Sequence, residues 1–496
     1  MRRIVIALIT ALALPLAMAA PANAGSLDDA FAKLLVKKVK GDNVRKHLEA
    51  LQAIANANGG TRAAGTPGYN ASRDYVAGKL RRAGYKVTLQ PINYVESWTE
   101  NSPPTLDRTA PDAKSYVPNE DFFTFQPSPA GDVTAQVQGV DLTLPPTPTP
   151  TSTSGCEESD FAGFVAGRIA LIQRGTCSFA QKIRNAGRAG AAGIIVFNEG
   201  QPGRTDAYPL DLGEWRAGVP MVFADFAVGN ELASGSPTVR LKVDATLVLG
   251  TNDNVIAESR FGDPRNVVMI GGHLDSVHAG PGINDNGSGS ATILEVAEEM
   301  ALFPVKNKVR FAFWAAEEIG LLGSDQYVAK LSQAERDRIR VYLNFDMVAS
   351  PNFAYMLYDG DDSDAEGSPA GPPGSAQIEK QLADFYATRH LPTVGTDFDG
   401  RSDYGPFIAV GIPAGGIFTG AEGIKTAEEA ALFGGTAGVP YDACYHAACD
   451  TMANINATAL DVDADAVADS TARFAFNLRG IPKRTATTAR TLDAVS

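Results

Sequence analysis

Apolar side chains recur at helical spacing in two segments near the start of the chain. In residues 42–58 they fall on one face of a helix, and two glycines follow directly. Residues 71–83 show the same pattern and are followed by Gly84. Because glycine is common just beyond the last helical turn, both segments are predicted to be helices that end there. Residues 86–90 then have the pattern of a strand, so the chain opens as an α/β domain.

Three near-continuous apolar runs lie in the second half of the chain, at residues 266–271 (NVVMIG), 308–315 (KVRFAFWA) and 341–345 (VYLNF). Runs of this kind are typical of strands that helices cover on both faces. A helical pattern at residues 290–302 separates the first two runs. These features predict a return of the α/β pattern, with a mostly parallel sheet.

The region between about residues 105 and 250 has a different character. Proline becomes frequent, and short strands are predicted at residues 168–173 and 193–197, with a helix at residues 179–186 that ends at Gly187. Residues 145–154 (PPTPTPTSTS) are low in complexity and predict an extended, solvated surface loop. A β-rich region therefore lies between the two α/β regions.

Length and composition limit the classes of protein to which the chain can belong. It has 496 residues, of which 44% are hydrophobic and 20% are charged, as expected for a folded protein of two or three domains. The formal net charge of -14 disfavours nucleic acid as a partner, because phosphate binding needs a basic surface. Any metal site or disulfide must draw on five histidines and four cysteines.

Residues 1–24 have the features of a secretory signal peptide, with two arginines near the start, an apolar stretch and the small-residue cleavage sequence Ala22-Asn23-Ala24. The apolar stretch contains Pro15 and is too short for a membrane anchor. No later segment of the sequence is apolar enough to predict a membrane span. We therefore expect a secreted, extracellular protein.

An oxidising compartment changes the interpretation of Cys156, Cys177, Cys444 and Cys449, which allow three disulfide pairings. Proximity favours Cys156–Cys177 and Cys444–Cys449. A four-cysteine zinc site is the weaker alternative, because neither pair has the two-residue spacing typical of such sites.

Acidic and imidazole side chains follow each of the three apolar runs, and further ones lie in the turn 282–287 and in the segment 444–450. They are His273, Asp285, Glu317, Glu318, Asp346 and His446. Ligands gather beyond the carboxyl ends of parallel strands, so these side chains are expected to lie close together. Imidazole nitrogens and carboxylate oxygens are zinc ligands. Five ligands and a spare carboxylate fit two zinc ions that share one bridging carboxylate.

The other three histidines, His47, His278 and His390, are interpreted as packed or surface residues. His278 is close in sequence to the predicted site, but the pair of His273 and Asp275 is the better ligand pattern. Asp275 can accept a hydrogen bond from the second ring nitrogen and so fix the tautomer of the ligand.

Several stretches, in order along the chain, resemble the secreted di-zinc aminopeptidases of the bacterial leucine aminopeptidase type. They are GGHLDSV (271–277), GINDNGSGSA (282–291), WAAEEIGLLGS (314–324), LNFDM (343–347), GRSDYGPF (400–407), GGIFTGAE (415–422) and CYHAACD (444–450). Residues 42–90 look like the start of the same catalytic domain. The resemblance implies the α/β fold of zinc aminopeptidases (phosphorylase/hydrolase-like), with a mixed, mostly parallel central sheet flanked by helices.

The resemblance also assigns roles to the predicted metal ligands. His273 and Asp346 would bind one zinc ion, and Glu318 and His446 would bind the other. Asp285 would bridge the two ions.

Further roles implied by the resemblance concern catalysis and substrate binding. Glu317 would be the general base, and Tyr445 would stabilise the developing oxyanion. Arg401 would contact the backbone of the substrate or product, while Met347 and Phe418 would form walls of the pocket for the first side chain.

Residues 110–250 resemble a protease-associated domain, a small β-rich insertion that is most recognisable at residues 167–200. The predicted organisation is a signal peptide (1–24), a first catalytic part (25–109), the insertion (110–250), the main catalytic part (251–482) and a polar tail (483–496).

Other acidic residues have less defined roles. Asp403 is expected to contact the metal ligands rather than the metal ions. Asp461, Asp463 and Asp465 form a cluster that is interpreted as the solvated start of a helix, with calcium binding as the less favoured alternative.

The resemblance implies a secreted aminopeptidase that acts as a monomer on the N-termini of peptides or proteins, with a preference for an apolar, Leu-like first residue. A carboxypeptidase on the same scaffold is an alternative, in which Arg401 and Tyr445 would meet a free carboxylate. A cyclase of N-terminal glutamine would need fewer metal ligands than are present. A non-catalytic binding protein would be expected to have lost some of them.

Overall fold

The computed structural model describes residues 24–212, 217–365 and 367–483. Almost all of the predicted signal peptide and of the predicted tail lies outside the described residues. The helices are α1 (Ala24–Lys38), α2 (Gly41–Ala57), α3 (Pro67–Ala83), α4 (Phe179–Arg188), α5 (Phe226–Leu232), α6 (Gly289–Met300), α7 (Leu322–Ala329), α8 (Gln333–Arg338), α9 (Ser375–Thr388), α10 (Gly405–Ile408), α11 (Ala427–Phe433) and α12 (Ala457–Phe476). Within the described residues, every helix is too short or too polar to cross a membrane.

The strands number fifteen in the described part of the chain. They are β1 (Lys86–Ala110), β2 (Lys114–Ser115), β3 (Phe122–Gln126), β4 (Gly131–Val140), β5 (Ile169–Gln173), β6 (Gly193–Phe197), β7 (Leu210–Asp211), β8 (Met221–Ala224), β9 (Thr238–Glu258), β10 (Asp263–His273), β11 (Asn307–Trp314), β12 (Ile339–Phe345), β13 (Met356–Tyr358), β14 (Val394–Thr396) and β15 (Ala414–Phe418).

The two predicted N-terminal helices are confirmed as α2 and α3. Helix α2 buries the apolar face that contains Leu48 and Leu51. Helix α3 begins four residues earlier than the apolar pattern predicts, because Thr66 caps it by accepting a hydrogen bond from the backbone N–H of Tyr69. Gly84 ends α3 in the left-handed conformation, with φ of 97°.

The central sheet has the order β14-β13-β15-β12-β10-β11-β9. Strand β10 is parallel to both β11 and β12, and β12 is parallel to β15, so their carboxyl ends lie along one edge. Strand β9 closes one side in the antiparallel direction. One face is covered by a large apolar core, and the other by a smaller core around Trp314 and Phe407. The predicted mixed, mostly parallel sheet is confirmed.

A long antiparallel ribbon of β1 and β9 leads to the region between the two α/β segments. The strand predicted at residues 86–90 continues to residue 110, because pairing with β9 persists over this length with several register shifts. The region beyond the ribbon adds strands in the order β4-β5-β6-β8-β3-β7, so one sheet path connects it to the central sheet.

Two expectations for this inserted region need correction. Helix α4 passes through Gly187 and ends at Arg188, and the chain turns at Gly190, which has φ of 80°. The loop at residues 145–154 is not solvated throughout. Ser152 and Ser154 are buried, because the Ser154 hydroxyl donates to the Val140 carbonyl oxygen at 2.5 Å.

The acidic cluster near the end of the chain lies within α12 and is not a solvated helix start. Asp463 is fully buried and accepts a hydrogen bond from the Tyr386 hydroxyl at 2.7 Å. Asp465 pairs with Arg389, and Asp461 accepts from the backbone N–H of Gly41. Each carboxylate therefore has a protein partner, and these contacts give calcium binding no support.

Candidate active site and metal centre

The strand ends place the predicted ligands at one edge of the sheet. His273 is the last residue of β10, and Asp346 directly follows β12. Glu317 lies three residues beyond β11. Ala316 and Met347 adopt positive φ values of 57° and 50°, which are costly for residues with a side chain. These sharp turns aim the neighbouring carboxylates across the ends of the strands.

Asp285 lies between the two histidines. Its Oδ1 is 3.2 Å from His273 Nε2, and its Oδ2 is 3.2 Å from His446 Nε2. Asp346 Oδ1 is 3.4 Å from His273 Nε2, and Glu318 Oε2 is 2.9 Å from His446 Nε2. The structure therefore brings all five predicted ligands together, in two sets that share Asp285.

The donor set fits two zinc ions. Ligand atoms placed tetrahedrally about 2.0–2.2 Å from zinc lie about 3.3–3.6 Å from one another, close to most of the observed separations. Asp346 Oδ1 and Glu318 Oε1 are buried, and no hydrogen-bond donor among the described residues reaches either oxygen. Buried carboxylates that face one another without donors need a cation to compensate them.

Burial and crowding shift the acid–base equilibria of the site. Burial, together with the carboxylates of Asp403, Glu318 and Asp346, raises the pKa of Glu317 well above its ordinary value, against the opposing effect of His273. The pKa of Asp285 is lowered despite its burial, because both histidines donate to it. Glu317 Oε2 lies 3.9 Å from His273 Nε2, farther than the ligand oxygens. This greater separation favours a base beside the predicted ligands, although one oxygen of Glu317 also lies within 4.8 Å of ligand atoms of His273 and Asp346.

Asp275 contacts the site differently from the sequence-based expectation. His273 Nδ1 lies 3.2 Å from the carbonyl oxygen of Asp275 and 3.7 Å from its carboxylate Oδ1. The carboxylate instead accepts hydrogen bonds from the backbone N–H groups of Glu317 and Glu318, at 3.2 and 3.4 Å. Asp275 thus connects the loop after β10 to the loop after β11.

Arg62 is a residue that the sequence reasoning missed. It is fully buried, and its guanidinium donates to the carbonyl oxygens of Leu274, Pro281 and Gly282. Those carbonyls belong to the segments that carry His273 and Asp285. Burial lowers the pKa of Arg62 to about 10, against the nearby carboxylates that favour its charged form. No periodicity marks a residue in a turn after α2, so the sequence held no signal for this role.

Asp450 and Ser402 also position ligands and were not predicted to do so. Asp450 accepts hydrogen bonds from the backbone N–H groups of Asn284 and Asp285, at 2.8 and 3.0 Å. The Ser402 hydroxyl donates to Asp346 Oδ2 at 2.6 Å. Asp450 ends the recognised stretch CYHAACD, which was the one available sequence signal.

Both predicted disulfides are confirmed, Cys156–Cys177 and Cys444–Cys449. The second encloses Tyr445 and His446, whose rings stack with centroids 3.8 Å apart.

A cleft of about 670 Å³ opens over the predicted metal ligands. Met347 and Phe418 line it, as predicted, and so do Met356, Tyr358 and Tyr441, which were not predicted. These side chains form an apolar wall beside the ligands.

Arg401 lies at the cleft and already has partners. Its Nη1 is 2.8 Å from Glu422 Oε1, and its Nη2 donates to the Tyr445 hydroxyl at 3.2 Å. Asp403 is fully buried, and the Ser324 hydroxyl interacts with its carboxylate. Burial raises the pKa of Asp403 to about 7, which keeps a neutral carboxyl accessible near neutral pH. Its supporting role remains a prediction.

Two regions of the sequence match known protein families. Residues 254–471 match the family described as Peptidase family M28, and residues 139–232 match the PA domain. An aminopeptidase of Pseudomonas aeruginosa is 49% identical over 438 residues, which cover 88% of this chain and 81% of the relative. This chain belongs to peptidase family M28.

Two further proteins that are similar to this chain are described as aminopeptidases. A probable leucine aminopeptidase 2 of Aspergillus oryzae is 45% identical and covers 84% of this chain and 80% of its own length. The solved structure of BSAP, a zinc aminopeptidase from Bacillus subtilis, aligns with a TM-score of 0.50 at 24% identity, over 87% of this chain and 94% of that chain. At that identity the likeness concerns the fold alone. The resemblance to aminopeptidases that carry a protease-associated domain is confirmed.

Proposed function

We propose that this M28 peptidase is a di-zinc aminopeptidase that hydrolyses the first peptide bond of peptides or proteins. The observation that carries the proposal is the sharing of Asp285 between His273 and His446, with Glu317 buried beside the pair. Two further carboxylates, of Asp346 and Glu318, complete the two ligand sets. Aminopeptidases among the relatives support the same activity.

The charges around the cleft favour a substrate with a free amino group. Carboxylates of Asp397, Asp399, Glu422 and Glu429 line the cleft in addition to those of the metal centre. A carboxypeptidase would need a free cation for the substrate carboxylate, but Arg401 is already paired with Glu422. The negative cleft therefore complements an N-terminal ammonium group better than a C-terminal carboxylate.

The chemistry can be divided between the metals and the protein. Bound zinc lowers the pKa of water to about 7 and polarises a carbonyl group. Glu317 takes the proton of the attacking water and passes it to the leaving amine. The Tyr445 hydroxyl donates a hydrogen bond to the oxyanion, and Arg401 keeps that hydroxyl in place.

The apolar wall of the cleft sets the preference for the first residue. Met347, Met356 and Phe418 are uncharged and lie beside the metal ligands. Burial of an apolar side chain against them gains about 25 cal/mol per Å². We therefore propose a preference for Leu, Met or Phe at the N-terminus of the substrate.

Secretion, the domain boundaries and the monomeric state are also proposals. Two disulfides support secretion of the protein after removal of residues 1–24. We propose a catalytic domain formed by residues 25–109 and 251–482, with residues 110–250 as the inserted protease-associated domain. Sedimentation of the purified chain tests the predicted monomer.

A panel of aminoacyl 4-nitroanilides, measured with and without a chelator, tests the function directly. The proposal requires hydrolysis of the leucine compound, loss of activity on chelation and recovery on addition of zinc. An N-acylated dipeptide with a free C-terminus is the matched control. Cleavage of that control in preference to the leucine compound would establish a carboxypeptidase instead.

A further inference from the structure

A second group of metal-ligating side chains lies outside the cleft, between α2 and α6. His47 projects from α2, and Glu295 and Glu298 project from α6 one helical turn apart. His47 Nε2 is 3.4 Å from Glu295 Oε2 and 3.3 Å from Glu298 Oε2. The side chains of His47 and Glu295 are only 4% and 5% exposed, whereas that of Glu298 is 24% exposed and keeps a path to solvent. None of the three lines the cleft that the described residues form.

The separations distinguish a metal site from a simple ion pair. An imidazolium that donates to a carboxylate is expected to place nitrogen and oxygen about 2.7–2.9 Å apart. One N–H can be shared between two oxygens, but each of the two contacts is then weaker than a direct hydrogen bond. The observed separations, 3.3 and 3.4 Å, instead match the edges of a tetrahedron around zinc. They also resemble the separations of 3.2 and 3.4 Å around His273 in the main metal centre.

The remaining polar atoms of the cluster have other partners and so hold the three facing atoms in place. The Tyr75 hydroxyl lies 2.7 Å from His47 Nδ1. The amide of Asn43 donates to Glu295 Oε1 at 2.9 Å. Histidine ligands of metals are held in the same way through their second ring nitrogen. One ligand atom of each of the three side chains lies within 4.8 Å of the other two, and Glu298 Oε2 also accepts from the Lys79 ammonium at 3.0 Å.

The charge balance also calls for a cation. Lys79 Nζ is 3.0 Å from Glu298 Oε2 and offsets one of the two glutamates. One negative charge then remains beside a neutral imidazole. Burial lowers the pKa of His47, but the two glutamates outweigh this effect and raise it overall, so the site favours a positive charge at this nitrogen. Either a proton or a divalent cation can supply it.

We propose that His47, Glu295 and Glu298 form a third metal site, for a zinc-type divalent cation, which links α2 to α6. A water molecule would complete four-coordination on the side open to solvent. Helix α6 follows directly on the turn that carries Asp285. The site therefore anchors the helix behind the bridging ligand without taking part in catalysis.

The test is the number of zinc ions per chain in the purified full-length protein after equilibration with a zinc buffer, measured by elemental analysis. Wild type should hold one ion more than either His47→Gln or Glu298→Gln. Glu298→Gln alters a partly exposed side chain, so it remains informative if His47→Gln fails to fold. His390→Asn is the control, because His390 is exposed at positive φ, which asparagine tolerates. The control should keep the wild-type number.

Two readouts separate this proposal from the proposed function. Turnover of the leucine nitroanilide should stay within twofold of wild type in both variants, while the zinc-dependent rise in the melting temperature should be smaller. Equal metal content in wild type and both variants would overturn the third site, and so would a His47 imidazole that titrates with a bound proton in zinc-saturated protein. If all four proteins lacked the two zinc ions of the proposed active site, that result would contradict the di-zinc centre and not the third site.

Discussion

Two edges of the same connected sheet carry buried polar side chains, but only one of them has the character of a metal centre. In the inserted region, β5 ends at Gln173, and Asn198 and Glu199 follow β6. In the catalytic region, β10 ends at His273, and Asp346 follows β12. Both sets lie at the carboxyl ends of parallel strands, where ligands gather in α/β folds.

Most polar groups at this edge of the inserted region have partners in the protein, although Glu199 Oε2 makes an ion pair and no hydrogen bond. Gln173 Oε1 accepts from the backbone N–H of Thr143 at 2.8 Å. Glu199 Oε1 accepts from the backbone N–H groups of Thr151 and Ser152, and its Oε2 pairs with Arg204 at 2.8 Å. These bonds hold the loop that follows β4. Burial of a polar group therefore does not by itself indicate a site.

At the catalytic edge the acceptors face other acceptors. Asp346 Oδ1 and Glu318 Oε1 have no donor in the described part of the chain, and both lie beside further carboxylates. Such an arrangement is costly unless a cation compensates it. Polar side chains at the end of a strand are therefore not enough to indicate a metal site. A group of buried carboxylate oxygens without hydrogen-bond donors does indicate one.

The largest expected effect comes from changing one carboxylate at each edge. Glu317→Gln should lower kcat by roughly 10²- to 10⁴-fold, because proton transfer by a general base contributes about that much. Zinc content should stay unchanged, since Glu317 is not proposed as a ligand. The matched variant Glu199→Gln in the inserted region should leave kcat unaltered. Full activity of Glu317→Gln in steady-state assays would end the assignment of the base.

Removal of either disulfide should lower stability, but only removal of Cys444–Cys449 should also lower turnover. The loop closed by Cys156–Cys177 spans 21 residues and is worth about 3 kcal/mol of unfolding free energy, whereas the five-residue loop of Cys444–Cys449 is worth about 2 kcal/mol. Denaturant unfolding of the paired Cys→Ser variants measures both values. We expect only the Cys444–Cys449 variant to lose turnover, because that loop presents Tyr445 and His446. An equal loss of turnover in both variants would contradict this division.

Arg62→Met should weaken zinc binding by roughly 10- to 100-fold, the usual cost of removing a residue that orients metal ligands. Competition with a chromogenic chelator measures the dissociation constants. Arg62→Lys should recover part of the loss, since an ammonium can still donate to one or two of the three carbonyl groups. If Arg62→Met lowers thermal stability but leaves zinc affinity intact, Arg62 only supports the fold.

The smallest expected effect is a dependence of stability on pH, which is caused by Lys182 in the inserted region. Lys182 is buried, and its ammonium donates to the Ser154 carbonyl oxygen at 2.6 Å. Burial lowers the pKa of Lys182 from 10.5 to about 8. Between these two values the unfolded chain binds more protons than the folded one, so stability should rise with pH. The slope is at most about 1.4 kcal/mol per pH unit.

Denaturant unfolding of wild type and Lys182→Met between pH 7 and pH 10.5, about the span of the two pKa values, measures this effect. As the pH rises, the free energy of unfolding of wild type should increase relative to that of Lys182→Met. Parallel curves would show that Lys182 does not titrate as its burial implies.

Much of the site could be predicted because its ligands lie within short recognisable stretches. His273, Asp285 and Asp346 each sit next to an apolar strand or a glycine-rich turn, and strand pairing places them together. The contacts of Asp275 were predicted less well. The sequence suggested that its carboxylate fixes His273, whereas the structure directs it to the backbone of the loop after β11.

Burial of isolated charges could not be predicted. Arg62 and Asp463 are both fully buried, although neither lies in an apolar pattern that predicts this. Asp463 belonged to a cluster that was expected to be solvated, and helix α12 instead packs it against Tyr386. Whether a charge is buried depends on which elements pack against it, and those elements are distant in sequence.

The sequence by itself predicted the alternation of α/β and β-rich regions, the pairing of the four cysteines and the five residues that are proposed as metal ligands. It could do so because these features depend on local periodicity, cysteine proximity and residue types at strand ends. The tertiary structure decided the roles of Arg62, Asp450 and His47. Each of these side chains acts through groups far away along the chain, and only folding brings those groups within hydrogen-bonding or coordination distance.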